Sequence, residues 1–288
     1  VTIHRDYGSR ENRKHARLKY ILHDKGIEWF REELAKRVSF TFEAPRPVPE
    51  FVVYDHLGWH EQSDGLLYVG IHVENGRIAD RPNSQVRSGL RAIIEKFNVS
   101  VRLTCQQNLL LTNILPQDRF AIEAMLDEYG IRTVEKISKM RRNALACVAL
   151  PTCGLAITEA ERVFPQVISE FEDALDRLDL ADANIMARMT GCPNGCARPY
   201  VAEIAFVGRS LDKYTVFLGG NPNGTRLAQK FLDLVHIQDL VPTLTPILRY
   251  YGDCRNEGES FGDFVLRVGF DILHQIVGDE AVKSAVGD

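Results

Sequence analysis

The chain has 288 residues, 45% hydrophobic and 26% charged, with a net charge of -4, an ordinary globular composition with enough apolar residues for a sizeable core in about two domains. No basic excess favours nucleic acid as a partner. The most apolar stretch, 144–157, is interrupted by Pro151, Thr152 and Gly154 and is too short to span a bilayer, so a soluble protein with no membrane partner is expected.

From the N-terminus, Val1-Thr2-Ile3-His4-Arg5-Asp6 has no apolar core of a signal peptide, and the missing initiator Met reads as a fragment or a processed chain. Residues 1–38 look helical and charged. Ile27, Phe30, Leu34 and Val38 recur at helical spacing over 26–38. Arg10, Arg13, Lys14 and Arg17 would share one face of an N-terminal helix. Pro45, Pro47 and Pro49 then predict a linker over 43–49. Residues 50–135 read as an α+β unit. A strand at 66–73 ends at the turn Glu74-Asn75-Gly76. A helix at 86–97, strands at 100–104 and 109–114, and a helix at 118–129 follow. That order is half of a ferredoxin-like split βαβ arrangement. Beyond it, the pattern predicts a helix over 157–178, strands at 185–189, 202–207 and 214–218, a tight loop at 219–224, and helices at about 225–235, 239–251 and 260–276.

Six cysteines in a chain of this length are not needed as disulfide staples, and four of them fall in two pairs. Cys147-Val-Ala-Leu-Pro-Thr-Cys153 leaves five residues between thiols, and Cys192-Pro-Asn-Gly-Cys196 leaves three. Four thiolates match the needs of a cubane iron–sulfur cluster, one per iron. Pro151, Gly154, Pro193 and Gly195 let the backbone curl round a bulky inorganic core and turn N–H groups toward it. Zinc is the rival: Cys-x3-Cys lies within zinc spacing and Cys-x5-Cys outside it. Unrelated buried thiols are the other alternative.

These residues resemble the sulfite reductase haemoprotein (sirohaem/[4Fe-4S] sulfite and nitrite reductase) family. Ala146–Cys153 with Leu155-Ala156-Ile157 and Glu159-Ala160-Glu161-Arg162 is similar to its first cluster motif, and Thr190–Cys196 to its second. Leu218–Arg226, Gly258–Phe264, Arg13–Tyr20 and Glu74–Ile78 extend the likeness over essentially the whole chain. The resemblance implies a [4Fe-4S] cluster on Cys147, Cys153, Cys192 and Cys196, with Cys196 also the axial ligand of sirohaem. It implies assimilatory reduction of sulfite to sulfide, or of nitrite as the alternative, with electrons from a ferredoxin or a flavoprotein. The setting would be the cytoplasm, or a plastid in a photosynthetic eukaryote. A cluster-binding fragment without turnover is the non-enzymatic alternative.

Family members are about twice this length and built from two related halves. The chain resembles the second, so the missing N-terminal half becomes an expected partner, and activity without it is not expected. The implied organisation is α/β (α+β). A basic helical segment occupies 1–44, half of a ferredoxin-like pseudo-symmetric core 45–138, and an α/β iron–sulfur/sirohaem-binding domain 139–288. Arg13, Lys14, Arg17 and Lys19 are candidates for the carboxylates of sirohaem, with a solvated helix face as the alternative. Gln107 and Asn108 either bond the macrocycle periphery or form a strand-end turn. Asn194 either supports the bridging sulfur or is a left-handed or Asx turn residue. Arg141 and Arg142 read as a solvated pair or as charge balance for the cluster, and Cys105 and Cys254 as buried small hydrophobes.

Overall fold

The computed structural model describes residues 1–47 and 53–286, with side chains up to 278. Contacts divide the chain into Val1–Phe51 and Val52–Asp288.

The first unit holds α1 (Thr2–Tyr7), α2 (Leu18–Lys25) and α3 (Ile27–Ala35), with a short 3-10 turn at Arg13–His15. Glu33, 8% exposed, accepts from Tyr7, Lys36 and Arg37, and Arg37 also reaches Asp6. The helix at 26–38 is present in shortened form. The single basic face is not. Asn12 Oδ1 takes the Lys14 N–H, a local side-chain bond that competes with the helix ladder, so Arg10, Arg13, Lys14 and Arg17 follow no common helix. Residues 41–47 carry no regular element, as the linker reading expects; Val48 and Pro49 lie outside the described residues.

The second unit opens with a four-stranded antiparallel sheet. Its strands are β1 (Gly58–Glu61), β2 (Leu67–Ile71), β5 (Ser100–Leu103) and β6 (Leu109–Ile114), in the order β1-β2-β6-β5. A small ribbon of β3 (Asp80–Arg81) and β4 (Ser84–Gln85) precedes α4 (Val86–Phe97), and α5 (Arg119–Glu128) follows β6. Leu90 and Ile93 of α4 and Ile122 and Leu126 of α5 pack on Val69, Ile71, Leu109 and Leu111 of the sheet. This is the expected ferredoxin-like half, with β1 as an addition: Gly58-Trp59-His60-Glu61 is short and half-buried, which hides its alternation.

After α6 (Lys139–Asn143) comes a five-stranded mixed sheet. It contains β7 (Leu145–Ala146), β8 (Ala187–Thr190), β9 (Ile204–Ser210), β10 (Lys213–Leu218) and β11 (Gln229–His236), in the order β11-β10-β9-β8-β7. β7, β8 and β9 run parallel; β10 and β11 are antiparallel to their neighbours. α7 (Phe164–Arg177) crosses over from β7 to β8, and α8 (Leu240–Cys254), α9 (Phe261–Val268) and α10 (Phe270–Val286) complete the domain. Phe164, Phe171, Phe206, Leu244, Phe261 and Phe264 are wholly buried in one core.

Three helix expectations change. Residues 225–235 form mostly strand β11, because Leu232 and Val235 register against Val216 and Tyr214 of β10 while Phe231 is buried. The helix over 157–178 begins only at Phe164, with Pro165 in its first turn. The helix over 260–276 is two helices, separated at Gly269 with φ +85°. Two of the family-like motifs explain themselves as architecture. Glu203, 1% exposed, accepts from the N–H groups of Met186 and Gly262, and Ser260 caps α9. Arg226 donates to Gly219 O and Asp263. Among the described residues no helix is long and apolar enough to cross a membrane.

Candidate metal centre

The two cysteine pairs leave from the same end of the mixed sheet. Cys147 directly follows β7, and Cys192 follows β8 by one residue; these strands are adjacent and parallel. Loops beyond the carboxyl ends of parallel strands are where open α/β sheets bind their ligands. Backbone bonds fasten the two loops together. The Cys147 N–H donates to Met189 O at 3.2 Å, and the Gly191 N–H donates to Cys147 Sγ at 3.3 Å. The N–H groups of Ile157 and Thr158 both donate to Gly191 O, and the Cys153 N–H closes a turn on Ala149 O at 2.7 Å.

Gly191 is fixed by this packing. A Cβ there would stand 2.5 Å from Thr158 O and 2.7 Å from Ala149 Cβ. Gly195, at φ +69°, is the left-handed residue of the second loop, and its Cβ would meet the Tyr200 ring at 2.9 Å. The left-handed reading of Asn194 is therefore corrected: the flexible glycine takes that conformation, and Asn194 is exposed.

All four thiols are free. Cys192 is buried, Cys147 and Cys153 are half-buried, and Cys196 is exposed. Burial pushes the Cys147 thiol up from its ordinary value, opposed by the N–H groups of Gly191 and Ala149; Cys196 and Cys192 are close enough to raise it further. Among the described residues no three His, Cys, Asp or Glu side chains converge as ligands of a single metal ion. A cubane distributes its thiolates round a core of several irons, a wider arrangement than one ion requires.

The ferredoxin-like half closes over this end of the sheet. The loop 104–108 is the bridge: Gln107 Nε2 donates to Ala146 O at 2.8 Å, and Arg198 Nη2 donates to Cys105 O at 2.7 Å. Arg188 Nη1 in turn donates to Arg198 O at 3.0 Å. Beside them lies a cleft of about 400 Å3 whose walls include Arg77, Thr104, Gln107, Val148 and Glu161. Arg77 and Glu161 form a bidentate pair, both contacts 2.6 Å, and Asn75 donates to Glu161 O.

Several polar atoms at this end are buried without a partner among the described residues: Gln107 Oε1, Thr190 Oγ1 and Arg188 Nε. Thr190 is wholly buried and Arg188 is 4% exposed. Such atoms are rare in finished protein interiors and mark a place that another group completes. Four free thiols on two joined loops, with unsatisfied donors and acceptors beside them, fit a thiolate-held cluster and a polar macrocycle.

Fold and site together define a class: an α/β domain built to present paired thiols, joined to a ferredoxin-like half. The family model described as "Nitrite and sulphite reductase 4Fe-4S domain" matches residues 1–42 and 138–284, and "Nitrite/Sulfite reductase ferredoxin-like half domain" matches 60–129. The chain belongs to the nitrite and sulfite reductase family, whose cofactors are a [4Fe-4S] cluster and sirohaem. It is 46% identical over 275 residues to the sulfite reductase [ferredoxin] of Synechococcus elongatus, covering 96% of this chain and 44% of that protein. It is 45% identical to the sulfite reductase [NADPH] hemoprotein beta-component of Myxococcus xanthus, over 93% of this chain and 48% of that one. The structure of the Mycobacterium tuberculosis NirA protein superposes with a TM-score of 0.77 at 29% identity, covering 94% of this chain and 51% of NirA. The chain thus spans about half the length of these relatives.

The remaining candidates separate. Gln107 adopts φ +63° in the strand-end turn, and its side chain reaches Ala146 O beside Cys147. Asn108, 2% exposed, uses Oδ1 to accept from the Val73 N–H, which makes it chiefly a strand-end clamp. Arg13, Lys14, Arg17 and Lys19 are exposed in the first unit, with Arg17 and Lys19 over the Tyr20 ring. The solvated reading of Arg141 is overturned: it is 7% exposed and bound by Glu74, Glu172 and Ser169. Arg142 is half-buried, 3.7 Å from Asp55. Cys105 and Cys254 are exposed rather than buried, Cys105 in the loop after β5 and Cys254 at the end of α8. Sequence reasoning passed over Arg188 and Thr190 as site groups. The available signal was a lone Arg inside the apolar run Ile185-Met-Ala-Arg-Met189.

Proposed function

We propose that this chain is the redox-centre region of an assimilatory sulfite reductase, which reduces sulfite to sulfide by six electrons. Cys147, Cys153, Cys192 and Cys196 would hold the [4Fe-4S] cluster, and Cys196 would also bind sirohaem. The observation that carries this reading is the pair of thiol loops leaving adjacent parallel strands β7 and β8 and tied through Gly191. The bound pair of cofactors supplies the electron storage and the metal at which sulfite is reduced, which no side chain provides. The chain's own residues hold and insulate. Cys192 is buried and Cys147 and Cys153 are half-buried, while Cys196 is exposed and open to a second group.

Gln107, Asn108 and Asn194 are the polar candidates for the macrocycle edge, and the exposed Arg13, Lys14, Arg17 and Lys19 are cations suited to its carboxylates. The working division is a basic segment over 1–44, the ferredoxin-like half over 45–138 and the cofactor domain over 139–288. Turnover also needs the region of the relatives that this chain does not span. It needs an electron donor as well, a ferredoxin or a flavoprotein, in keeping with the names of those relatives. A cytoplasmic or plastid location suits that chemistry. Nitrite is the alternative substrate carried by the family name; the two curated relatives described above are both named sulfite reductases.

The test is Cys196→Ser beside wild type in the complete protein, with absorption spectra and rates on sulfite and nitrite. Wild type is expected to turn over sulfite and to show the red-region absorption of sirohaem. The variant is expected to lose more than tenfold in rate and to shift that band. An unchanged spectrum and rate would remove Cys196 from its bridging role.

A further inference from the structure

We infer that Arg188 is the buried counter-charge of the reduced metal centre held by the cysteine loops. The inference rests on the cluster reading above and assigns a role to a residue outside the thiol set.

Arg188 sits in the middle of β8, four residues before Cys192, registered between Leu145 of β7 and Ala205 of β9. Its neighbours Ala187 and Met189 face the apolar core, so strand alternation turns Arg188 and Thr190 to the other side of the sheet. That is the side where the orphaned Thr190 Oγ1 lies and where Arg198 links to the 104–108 loop. The guanidinium is 4% exposed, makes one hydrogen bond to Arg198 O, and leaves Nε without a partner. No carboxylate among the described residues pairs with it. The charged groups it feels are Arg198, which repels it, and the Cys105 thiol. Burial lowers its pKa to about 10, so it stays a cation at neutral pH.

A buried cation without an anion is a strongly unfavourable arrangement. This protein pairs its other deeply buried arginine: Arg141 has Glu74 and Glu172. The guanidinium reaches the carbonyl of Arg198, two residues beyond Cys196, so an iron–sulfur centre held by the cysteine loops would bring an anion toward it. A fixed positive charge near such a centre would favour its more negative, reduced form. Arg188 is thus a positioning and potential-setting residue, not a catalytic one.

The test uses the 288-residue chain as wild type, Arg188→Lys, Arg188→Met and Arg188→Gln. Each is loaded with ferrous iron and sulfide, assayed for bound iron and sulfide, and titrated with dithionite under electron paramagnetic resonance. Unfolding of each metal-free chain is measured in parallel. All four are expected to bind equal iron and sulfide. The neutral variants are expected to shift the one-electron reduction equilibrium about tenfold toward the oxidised form, about 59 mV, with Lys close to wild type. Metal-free Arg188→Met is expected to be no less stable than metal-free wild type, because it loses an unpaired charge. Unchanged equilibria in both neutral variants would overturn the inference. So would neutral variants that unfold in the metal-free state while wild type and Lys do not, because that marks a purely structural role. Failure of wild type itself to bind iron and sulfide would instead overturn the cluster reading, and the inference with it.

Discussion

Arg141 and Arg188 are buried to almost the same degree, 7% and 4% exposed, in one domain. At the seam with the ferredoxin-like half, Arg141 binds Glu74, Glu172 and Ser169. At the cysteine end, Arg188 has a single carbonyl, and Thr190 and Gln107 keep an atom each unsatisfied. The arginines of the seam are paired by carboxylates of the chain itself, although His72 and Arg142 there keep unpartnered nitrogens. The cysteine end is left to be completed by something the chain binds. What separates the two arginines is the carboxylate partner that Arg141 has and Arg188 lacks.

The largest expected effect that tests this contrast is at Arg141. Arg141→Ala leaves Glu172 without a cation and Glu74 with Arg81 alone among the described residues, and should cost about 3 kcal/mol or more in urea unfolding, because breaking a buried pair leaves its charge uncompensated. Arg188→Met in the metal-free chain should cost nothing by the same measurement. Equal losses at both positions would erase the distinction. A smaller effect is expected at Gly191. Gly191→Ala forces a methyl against Thr158 O and Ala149, and should cost about 1–3 kcal/mol while weakening iron retention. A variant with full stability and full iron content would show that the two loops are not held in the described register.

The smallest expected effect concerns pH at the seam. Burial lowers His72 to about 4, with Glu74 acting against the shift and Arg132 and Arg141 adding to it. A histidine depressed in the folded state is neutral there and binds its proton more readily once unfolded. Its contribution is present above the ordinary histidine value of 6.5 and is lost as pH falls from there to about 4. Unfolding free energies measured between pH 7 and pH 4 should fall less steeply for His72→Phe than for wild type. Identical slopes would place the acid sensitivity elsewhere.

What the sequence made legible follows from the range of the interactions involved. The thiol pairs are local spacings, and strands β8, β9 and β10 have apolar runs long enough to read, so all were expected close to where they lie. β11 was misread because Lys230, Asp233 and His236 give its exposed face a helix-like polarity; its pairing with β10 decides the matter. The basic face over residues 10–17 failed for a local reason, the Asn12 side chain taking the Lys14 N–H. The isolation of Arg188, the salt links of Arg141 and the reach of Gln107 to Ala146 depend on residues tens of positions apart, so no window of sequence contains them. The Arg188 case adds a usable signal: a single arginine within a short apolar strand next to a cysteine motif.

The central claim is that the two thiol loops together hold one iron–sulfur centre. Iron and acid-labile sulfide bound per chain, compared between wild type and Cys192→Ala after identical anaerobic loading, test it most directly. Wild type should bind iron and sulfide in equal amounts with a broad brown absorption, and the variant should lose most of both. Zinc in place of iron, or a variant that retains the full complement, would contradict the account.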